Sequence, residues 1–484
     1  MSVYDKYKAV IGLEVHAQLT TNSKAFCSDS AAYGGAPNTQ VSPISLGHPG
    51  TLPKMNKKQV EYAVRMGIAC DSEIREHNKF ARKNYFYPDL PKGYQISQFD
   101  TPICEKGQIF IKGDDGKEKA IRLIRIHMEE DSGKSVHDLD PFFSLVDLNR
   151  AGVPLIEIVT EPDIASSKEA YNYLTEVRKL VRYLDICDGN MEEGSLRCDA
   201  NVSVMLKDAK EYGQRTELKN MNSIRNVQRA IEAEMKRQID IIEAGGEVTQ
   251  DTMRYDPVKD ETYVMRTKED AHDYRYFTEP DLPPLVITQE YKDKVRANLP
   301  ALPRELFFKY TKELGLSEYD AKVLTDDKDI ALFFEEIIAK TDHYKSAANW
   351  VQGAVKGYLN ENGVHLDETP INSNQILQLI ELVNSGKISS SAANSKLFPE
   401  VMRQPEKQVE QLAMELNLIQ DMAGDDILQF VEEAVAAWPD KVEAYKAGNK
   451  NLLGMFMGEV MKRSKGKADP KVANQMIREV LDKQ

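Results

Sequence analysis

A chain of 484 residues with 41% hydrophobic and 29% charged side chains has a globular composition but is too long for one ordinary core, so length predicts roughly two to four domains. A formal net charge of -14 excludes a protein that coats nucleic acid non-specifically, because phosphate contacts need Lys and Arg. No apolar run approaches the ~20 residues that span a bilayer, and MSVYDKYKAV lacks the apolar core of a signal peptide, so the expected location is the cytoplasm, with no membrane partner.

Taken in chain order, the first element is Tyr7 to Thr20, YKAVIGLEVHAQLT. Apolar residues hold the odd positions, while Glu14, His16 and Gln18 hold even ones, a period of two that predicts a half-buried strand with an acid and an imidazole on its polar face. A plain solvated face satisfies the same pattern. Asn22 to Pro53, rich in Ser, Gly, Pro and Asn, predicts a long irregular loop, and loops of that length are often functional. Lys57 to Cys70 has helical spacing. Asn78 to Gln98 interleaves Tyr and Phe with Arg82, Lys83 and Lys92, which could stack on and neutralise a nucleotide or could pack a loop on a sheet.

Alternation returns at Ile121 to Glu130, with Ile124, Ile126 and Met128 predicted on one face and Arg125, His127 and Glu129 on the other. Phe143 to Arg150 aligns Asp147 with Asn149. Leu155 to Glu161 sets Glu157 against Ile156 and Ile158, and Ser195 to Met205 sets Arg197, Asp199, Asn201 and Ser203 outward. Arg215 to Asn222 puts Glu217 and Lys219 on one side. Two helices interrupt these strands: one opens on a capping-box pattern, Ser166-x-x-Glu169, and the other is capped by Asn222 or Ser223 and ends at Gly245-Gly246.

The expected class is therefore α+β: a large, mainly antiparallel sheet with helices on one face and an open, acidic second face. Beyond Leu282-Pro283-Pro284 strand patterns fade and amphipathic helices follow, as at Arg304 to Leu314, Asp329 to Lys340, Ser373 to Ser385 and Pro405 to Asn417. The predicted domains are 1-292, the sheet; 293-405, all helical; and 406-484, a small helical tail. Lys441 to Gln484 carries ten bases against five acids, a reversal of sign that suits a polyanion or a solvated tail equally.

The five cysteines, Cys27, Cys70, Cys104, Cys187 and Cys198, form no CxxC pair and read as buried thiols. On the polar sheet face, Glu14, Glu129, Asp147, Glu157 and Asp199 are the candidate cluster. Two carboxylates ~4 Å apart repel by about 4 kcal/mol at an effective dielectric of 20, so several together call for a cation. With Asn149, Asn201 and His16 as further donors, an oxygen-rich site suits Mg²⁺ or Mn²⁺, whose coordination substrate phosphates complete. Neither GxxxxGK[ST] nor a strand-linked GxGxxG is present, so no P-loop or dinucleotide fold is expected.

The motifs IGLEVHAQL, APNTQVSPISLGHPGTLP, HMEEDSGK, DLNRAGVPLIEIVTEPD, EGSLRCDANVSV, TELKNMNS and DYRYFTEPDLPP are collinear over nearly the whole chain. On them the sequence resembles the B subunit of the bacterial aspartyl/glutamyl-tRNA amidotransferase. The resemblance implies a three-subunit enzyme in which the A subunit, an amidase (glutaminase), releases ammonia from glutamine. The C subunit is a small stabilising chain, and the B subunit activates the side chain of Glu-tRNA(Gln) or Asp-tRNA(Asn) with Mg-ATP.

Carried over residue by residue, it implies Glu14, His16 and Glu129 as leading catalytic metal ligands. Glu130, Asp147, Glu157 and Asp199 complete the metal set. Asn149, Asn201, Arg150 and Lys219 are the implied nucleotide contacts, with Lys219 also catalytic. Structural salt bridges across a sheet would account for the same residues. Many relatives have C-x-C and C-x-x-C in the long loop, where this chain has Cys27, Asp29, Ser42 and Ser45, so no zinc is expected. The resemblance also implies that the helical parts hold the tRNA body. A non-catalytic tRNA-binding scaffold and a stand-alone ligase acting on free amino acid are the competing functions. With no Ser-rich amidase signature and no Cys-His glutaminase pattern, the chain is not expected to hydrolyse glutamine by itself.

Overall fold

The computed structural model describes residues 3–137, 139–267, 274–419, 424–464, 468 and 470–483. The chain divides into two compact units, Met1–Pro303 and Arg304–Gln484. The first is built on a ten-stranded sheet. From one edge its main path runs Glu261–Thr267, Asp251–Asp256, Thr216–Lys219, Leu196–Leu206, Tyr7–Gln18, Pro154–Thr160, Glu118–Glu130, Cys104–Glu105 and Glu73–Ile74. Among the described residues every pairing in it is antiparallel except that of Thr216–Lys219 with Asp251–Asp256, which the helix Ile224–Glu243 separates in sequence. The sheet-rich first unit and helical second unit agree with the expected α+β class.

The opening strand lies in the middle of this sheet, and its alternation is realised in full. Ile11, Leu13, Val15 and Ala17 are completely buried, whereas Glu14, His16 and Gln18 are only partly covered. Three helices cover the apolar side: Lys57–Ala69, Ser167–Tyr183 and Ile224–Glu243. They contribute Val64 and Met66, Tyr173, Leu174 and Val177, and Val227 and Ile231 to one core. Each such side chain is worth about 1.5–3 kcal/mol when withdrawn from water. Asn56, Ser166 and Ser223 cap these helices, each accepting a backbone N–H from the first turn.

Two local readings are corrected. The strand Glu118–Glu130 carries a β-bulge where it pairs with Pro154–Thr160: Val159 faces Arg125, but the next residue, Thr160, faces Leu123. Ile124 is the extra residue, so the alternation shifts phase there. Ile121 and Leu123 join Ile126 and Met128 in the core, while Ile124 is 41% exposed. At Ser166 only half of the capping box forms. The Ser166 hydroxyl accepts the Glu169 N–H at 3.0 Å, but the Glu169 carboxylate accepts from the Ala165 N–H and pairs with Lys119 instead.

The long loop is irregular, as expected, and is held by buried polar groups. Lys24, wholly buried, donates to the carbonyls of Gln40 and Leu148. The positions where relatives carry thiols meet through hydrogen bonds: the Asp29 carboxylate accepts from the Ser42 N–H at 2.8 Å and from the Ser45 hydroxyl, which lies 3.4 Å from the Cys27 sulfur. One thiol, one carboxylate and two hydroxyls are a poor donor set for zinc.

The second unit is helical. Asp327 caps Lys328–Ile338, and Asn372 forms a complete capping box with Gln375 at the start of Ser373–Asn384. Tyr310 packs edge-on against Phe334 at 4.9 Å. The helix Val409–Glu415 is tied to Ser373–Asn384, its Val409 N–H donating to the Gln378 side chain at 3.1 Å. Residues 427–481 contain a core of their own, around Val431, Phe456, Val460 and Ile477.

Candidate functional site

Strand register assembles the polar face. On the opening strand His16 is the direct partner of Glu157 on one side and of Arg197 on the other, and Glu157 is in turn the partner of His127. Directly opposed residues point to the same face, so Arg197, His16, Glu157 and His127 form a row across four strands. One residue pair along, Glu129 faces Leu155. The carboxylate oxygen Oε2 of Glu157 lies 3.2 Å from Nε2 of His16 and 3.5 Å from Nε2 of His127, and Oε1 of Glu129 lies 3.2 Å from the same His127 nitrogen. Atoms of His16, Glu129 and Glu157 able to bind one ion lie within 4.8 Å of one another.

A short sheet of Ala81–Asn84, Tyr94–Ser97 and Phe277–Thr278 supplies further groups to the Glu129 end. The Ser97 hydroxyl donates to Oε1 of Glu129 at 2.6 Å, and the Gln95 amide donates to Oε2 at 3.2 Å. Lys83 sits with its ammonium 5.1 Å from the Tyr274 ring centroid. Burial disfavours its charge, but Glu129 and Glu157 outweigh burial and raise its pKa.

Burial also works against Glu157, yet His127 and His16 beside it hold its carboxyl well below the usual range. Glu129 is likewise held low, by Lys83 and His127, against burial. Burial opposes a charged His16, but the Glu157 carboxylate prevails and raises it. Two ionised carboxylates flanked by imidazoles are a donor set that fits a divalent cation with open positions for water or phosphate.

Along the same face runs a second polar patch. The Asn201 amide donates to Glu14 at 2.9 Å, and Lys219 pairs with Asp199 and, at 3.1 Å, with Glu217. Glu14 is pushed above the usual carboxylate range, first by burial and then by Glu157 and Asp199. Lys219 is raised, its two acids outweighing burial.

Residues 9–293 match the family model for the GatB/GatE catalytic domain, and residues 332–481 match that for the GatB domain. The chain is 48% identical over 478 residues to the B subunit of the aspartyl/glutamyl-tRNA(Asn/Gln) amidotransferase of Thermoanaerobacter pseudethanolicus, covering 99% of this chain and 100% of the relative. It is 50% identical over 478 residues to the protein of that name in Geobacter sulfurreducens, covering 98% and 99% respectively. The chain belongs to the GatB family of amidotransferase subunits.

Of the residues that the family resemblance implies, Glu14, His16, Glu129, Glu157, Asp199, Asn201 and Lys219 all lie on the polar face. Three other expected residues point elsewhere. Glu130, next to Glu129, faces the opposite side of its strand, where it pairs with Lys92 and accepts the Ile96 N–H at 2.9 Å. Asp147 accepts the N–H groups of Asn38 and Asn149, and Asn149 bonds Gln40 and Ala36, so both tether the long loop. Arg150 donates to the carbonyls of Ser132 and Gly133 and lies 3.8 Å from the buried Asp131 carboxylate, at the border of the polar face.

Sequence reasoning did not place His127, Ser97, Gln95 and Arg197 in the candidate site, and it named Lys83 only together with Arg82 and Lys92 as a possible nucleotide contact. His127 had a signal, since it shares the alternation of Glu129 two residues away. The aromatic and basic stretch held Lys83, but only tertiary pairing separates it from Arg82, which is bound to Glu279 at 2.7 Å, and from Lys92. Arg197 neighbours His16 in register and donates to the buried Asp131 at 2.8 Å, which the Gln18 amide also contacts.

Proposed function

We propose that this chain is the carboxylate-activating member of a tRNA-dependent amidotransferase. It would phosphorylate the side chain of Glu-tRNA(Gln), Asp-tRNA(Asn) or both with ATP, and then transamidate it with ammonia delivered by a partner amidase, the A subunit. The small C subunit completes the heterotrimer. The observation that carries this reading is the convergence of His16, Glu129 and Glu157, with His127 bridging the two acids.

A carboxylate resists ammonia because oxide is a poor leaving group. Transfer of the γ-phosphoryl group to one carboxylate oxygen expels ADP and creates an acyl phosphate. Ammonia then forms the C–N bond, the C–O bond to phosphate breaks, and the nitrogen gives up a proton. His16, Glu129 and Glu157 would hold Mg²⁺ or Mn²⁺. When bound, such an ion neutralises phosphate charge and orients the transfer. His127 and Ser97 orient Glu129 through their contacts with Oε1. Lys83 adds positive charge beside Glu129 and Glu157, where anionic substrate groups would otherwise be repelled.

Kinase chemistry is assigned to 1-292 and tRNA contact to the helical parts, 293-405 and 406-484. Exposed Lys441, Lys446, Lys450, Lys462 and Arg478 support the tail as an RNA contact. The expected compartment is the cytoplasm, where translation takes place, and no helix among the described residues is long and apolar enough to cross a membrane.

The deciding experiment uses the enzyme reconstituted with its partner subunits. In the Glu157→Gln variant, ATP cleavage dependent on Glu-tRNA(Gln) is expected to collapse while tRNA affinity stays within about twofold of wild type. Undiminished cleavage would favour the scaffold reading and remove the kinase assignment.

A further inference from the structure

The short sheet beside the cluster has two faces. Strand pairing sets Lys83 opposite Gln95 and Ala81 opposite Ser97, so these four side chains share the face turned toward Glu129. Arg82, between Ala81 and Lys83, is paired with Ile96 and with Phe277 and points the other way. There it meets the Glu279 carboxylate through two parallel bonds, Nε to Oε2 at 2.7 Å and Nη2 to Oε1 at 2.8 Å. Its guanidinium also lies over the Tyr94 ring, 4.2 Å from the centroid. Glu279 is 1% exposed and stands 197 residues beyond Arg82 in sequence.

The strand Phe277–Thr278 is only two residues long, too short to be held by backbone pairing alone. Two side chains of Ala81–Asn84 tie its segment down, one at each end. Arg82 holds Glu279, and the Asn84 amide donates to the carbonyls of Tyr274 at 3.3 Å and Arg275 at 2.8 Å. Arg275 has a φ of 44°, a conformation that a residue with a side chain keeps only where its surroundings impose it.

Lys83 stands between Arg82 and Asn84 in sequence but on the opposite face, and the segment its neighbours tie down is the one that walls it in. Its ammonium lies 5.1 Å from the Tyr274 ring centroid, and Tyr274 packs edge-on against Tyr85 and Tyr276, at 6.1 and 6.0 Å. A lysine stem is flexible, so an ammonium that is to stay beside Glu129 and Glu157 must be held there against that freedom. Gln95 and Ser97 have a separate anchor, since the Ile96 N–H and the Gln95 amide both bond Glu130. Among the described residues Lys83 makes neither a hydrogen bond nor an ion pair, so its place depends on the tyrosine wall, and the wall on the clamp.

We propose that Glu279 and Arg82 are positioning residues for the ATP-dependent step: clamped to each other on the outer face, they hold the tyrosine wall that keeps the Lys83 ammonium near Glu129 and Glu157. The proposal rests on the phosphoryl-transfer reading of that cluster. Neither residue touches the reacting groups; both act through Lys83.

The test uses the enzyme reconstituted with its partner subunits and two variants. Glu279→Gln keeps the shape of the acid, and Arg82→Lys keeps the charge but cannot make two parallel bonds. Each is expected to lower kcat for ATP cleavage dependent on Glu-tRNA(Gln) by about 10–100-fold, the scale for residues that orient a site from outside it. The Michaelis constants for ATP and tRNA should stay within about twofold, since ground-state binding is untouched. Combining Glu279→Gln with Lys83→Met is expected to cost no more than Lys83→Met alone, because the two losses share one path. That pattern supports the proposal, and a general loosening of the fold would not produce it. Full rates in folded variants, or losses that multiply with that of Lys83→Met, would overturn it. So would loss of the cooperative thermal transition in both variants, which would make the pair a folding element. Failure of the phosphoryl-transfer reading shows separately, as full ATP cleavage by Glu157→Gln.

Discussion

Glu157 and His16 are direct register partners on adjacent antiparallel strands, and Oε2 of the acid lies 3.2 Å from Nε2 of the imidazole. Residues that hold one ion as a unit lose affinity non-additively. His16→Ala and Glu157→Gln are each expected to weaken Mn²⁺ binding at least tenfold, and the double variant by less than the product of the two. Calorimetric titration of the assembled enzyme reads this out. Strictly multiplicative losses would mean the two act at separate places.

His127 touches both Glu129 and Glu157 and is 3% exposed. A neighbour that orients ligands typically contributes 10–100-fold, so His127→Ala should cost about that much in ATP-cleavage rate or Mn²⁺ affinity. His127→Gln, which can place an amide where Nε2 lies, should recover part of the loss. Recovery is the informative result, because a purely space-filling histidine would not be rescued by a polar replacement.

Glu234 is fully buried, and its carboxylate accepts from Thr216, Arg237, Gln238 and Thr262, tying the helix Ile224–Glu243 to two strands. Burial works against its charge, but Arg237 and the other donors hold its pKa below the ordinary value. Its unfolded value is about 4.3, so between that and the folded value the unfolded chain binds more protons. The stabilisation is therefore complete above about pH 4.3 and lost as pH falls through the lower, folded value. Glu234→Gln should cost about 1–3 kcal/mol at neutral pH and flatten this acid dependence. Hydrogen exchange across Ile224–Glu243 measures both.

Asp29 closes the long loop through Ser42 and Ser45. Charged hydrogen bonds are worth about 1.5–3 kcal/mol where they are sheltered, and this one is only partly so. Asp29→Ala is expected to speed proteolytic nicking within residues 30–50 severalfold while Mn²⁺ affinity holds. Unaltered nicking would show that Lys24, Asp147 and Asn149 suffice to hold the loop.

Because Val409–Glu415 packs on Ser373–Asn384, a clean test of the tail cuts after Ile419 rather than near 405. Removal should raise the dissociation constant for tRNA and reduce its salt dependence, with Mn²⁺ binding unchanged. Binding indifferent to both the cut and salt would make the basic residues a solvated surface only.

The opening strand, the capped helices and the change from strands to helices were legible in the sequence, because alternation and capping are local properties of a chain. So was the company of Glu14 with His16, since residues two apart on a strand share a face. Neighbourhood between strands is a different matter. Period two placed Asp147 beside Asn149 but could not say that both would turn to the long loop, nor that Glu130 would leave the face that Glu129 joins.

A single bulge residue, Ile124, reversed the phase of its strand and moved a core side chain to the surface. By itself the sequence determined which side chains each strand offers and, through its collinear motifs, the family. Only the tertiary structure decided which of those side chains meet, because register and bulges are set by packing between segments far apart in sequence, 30 residues for His127 and Glu157 and 141 for His16 and Glu157.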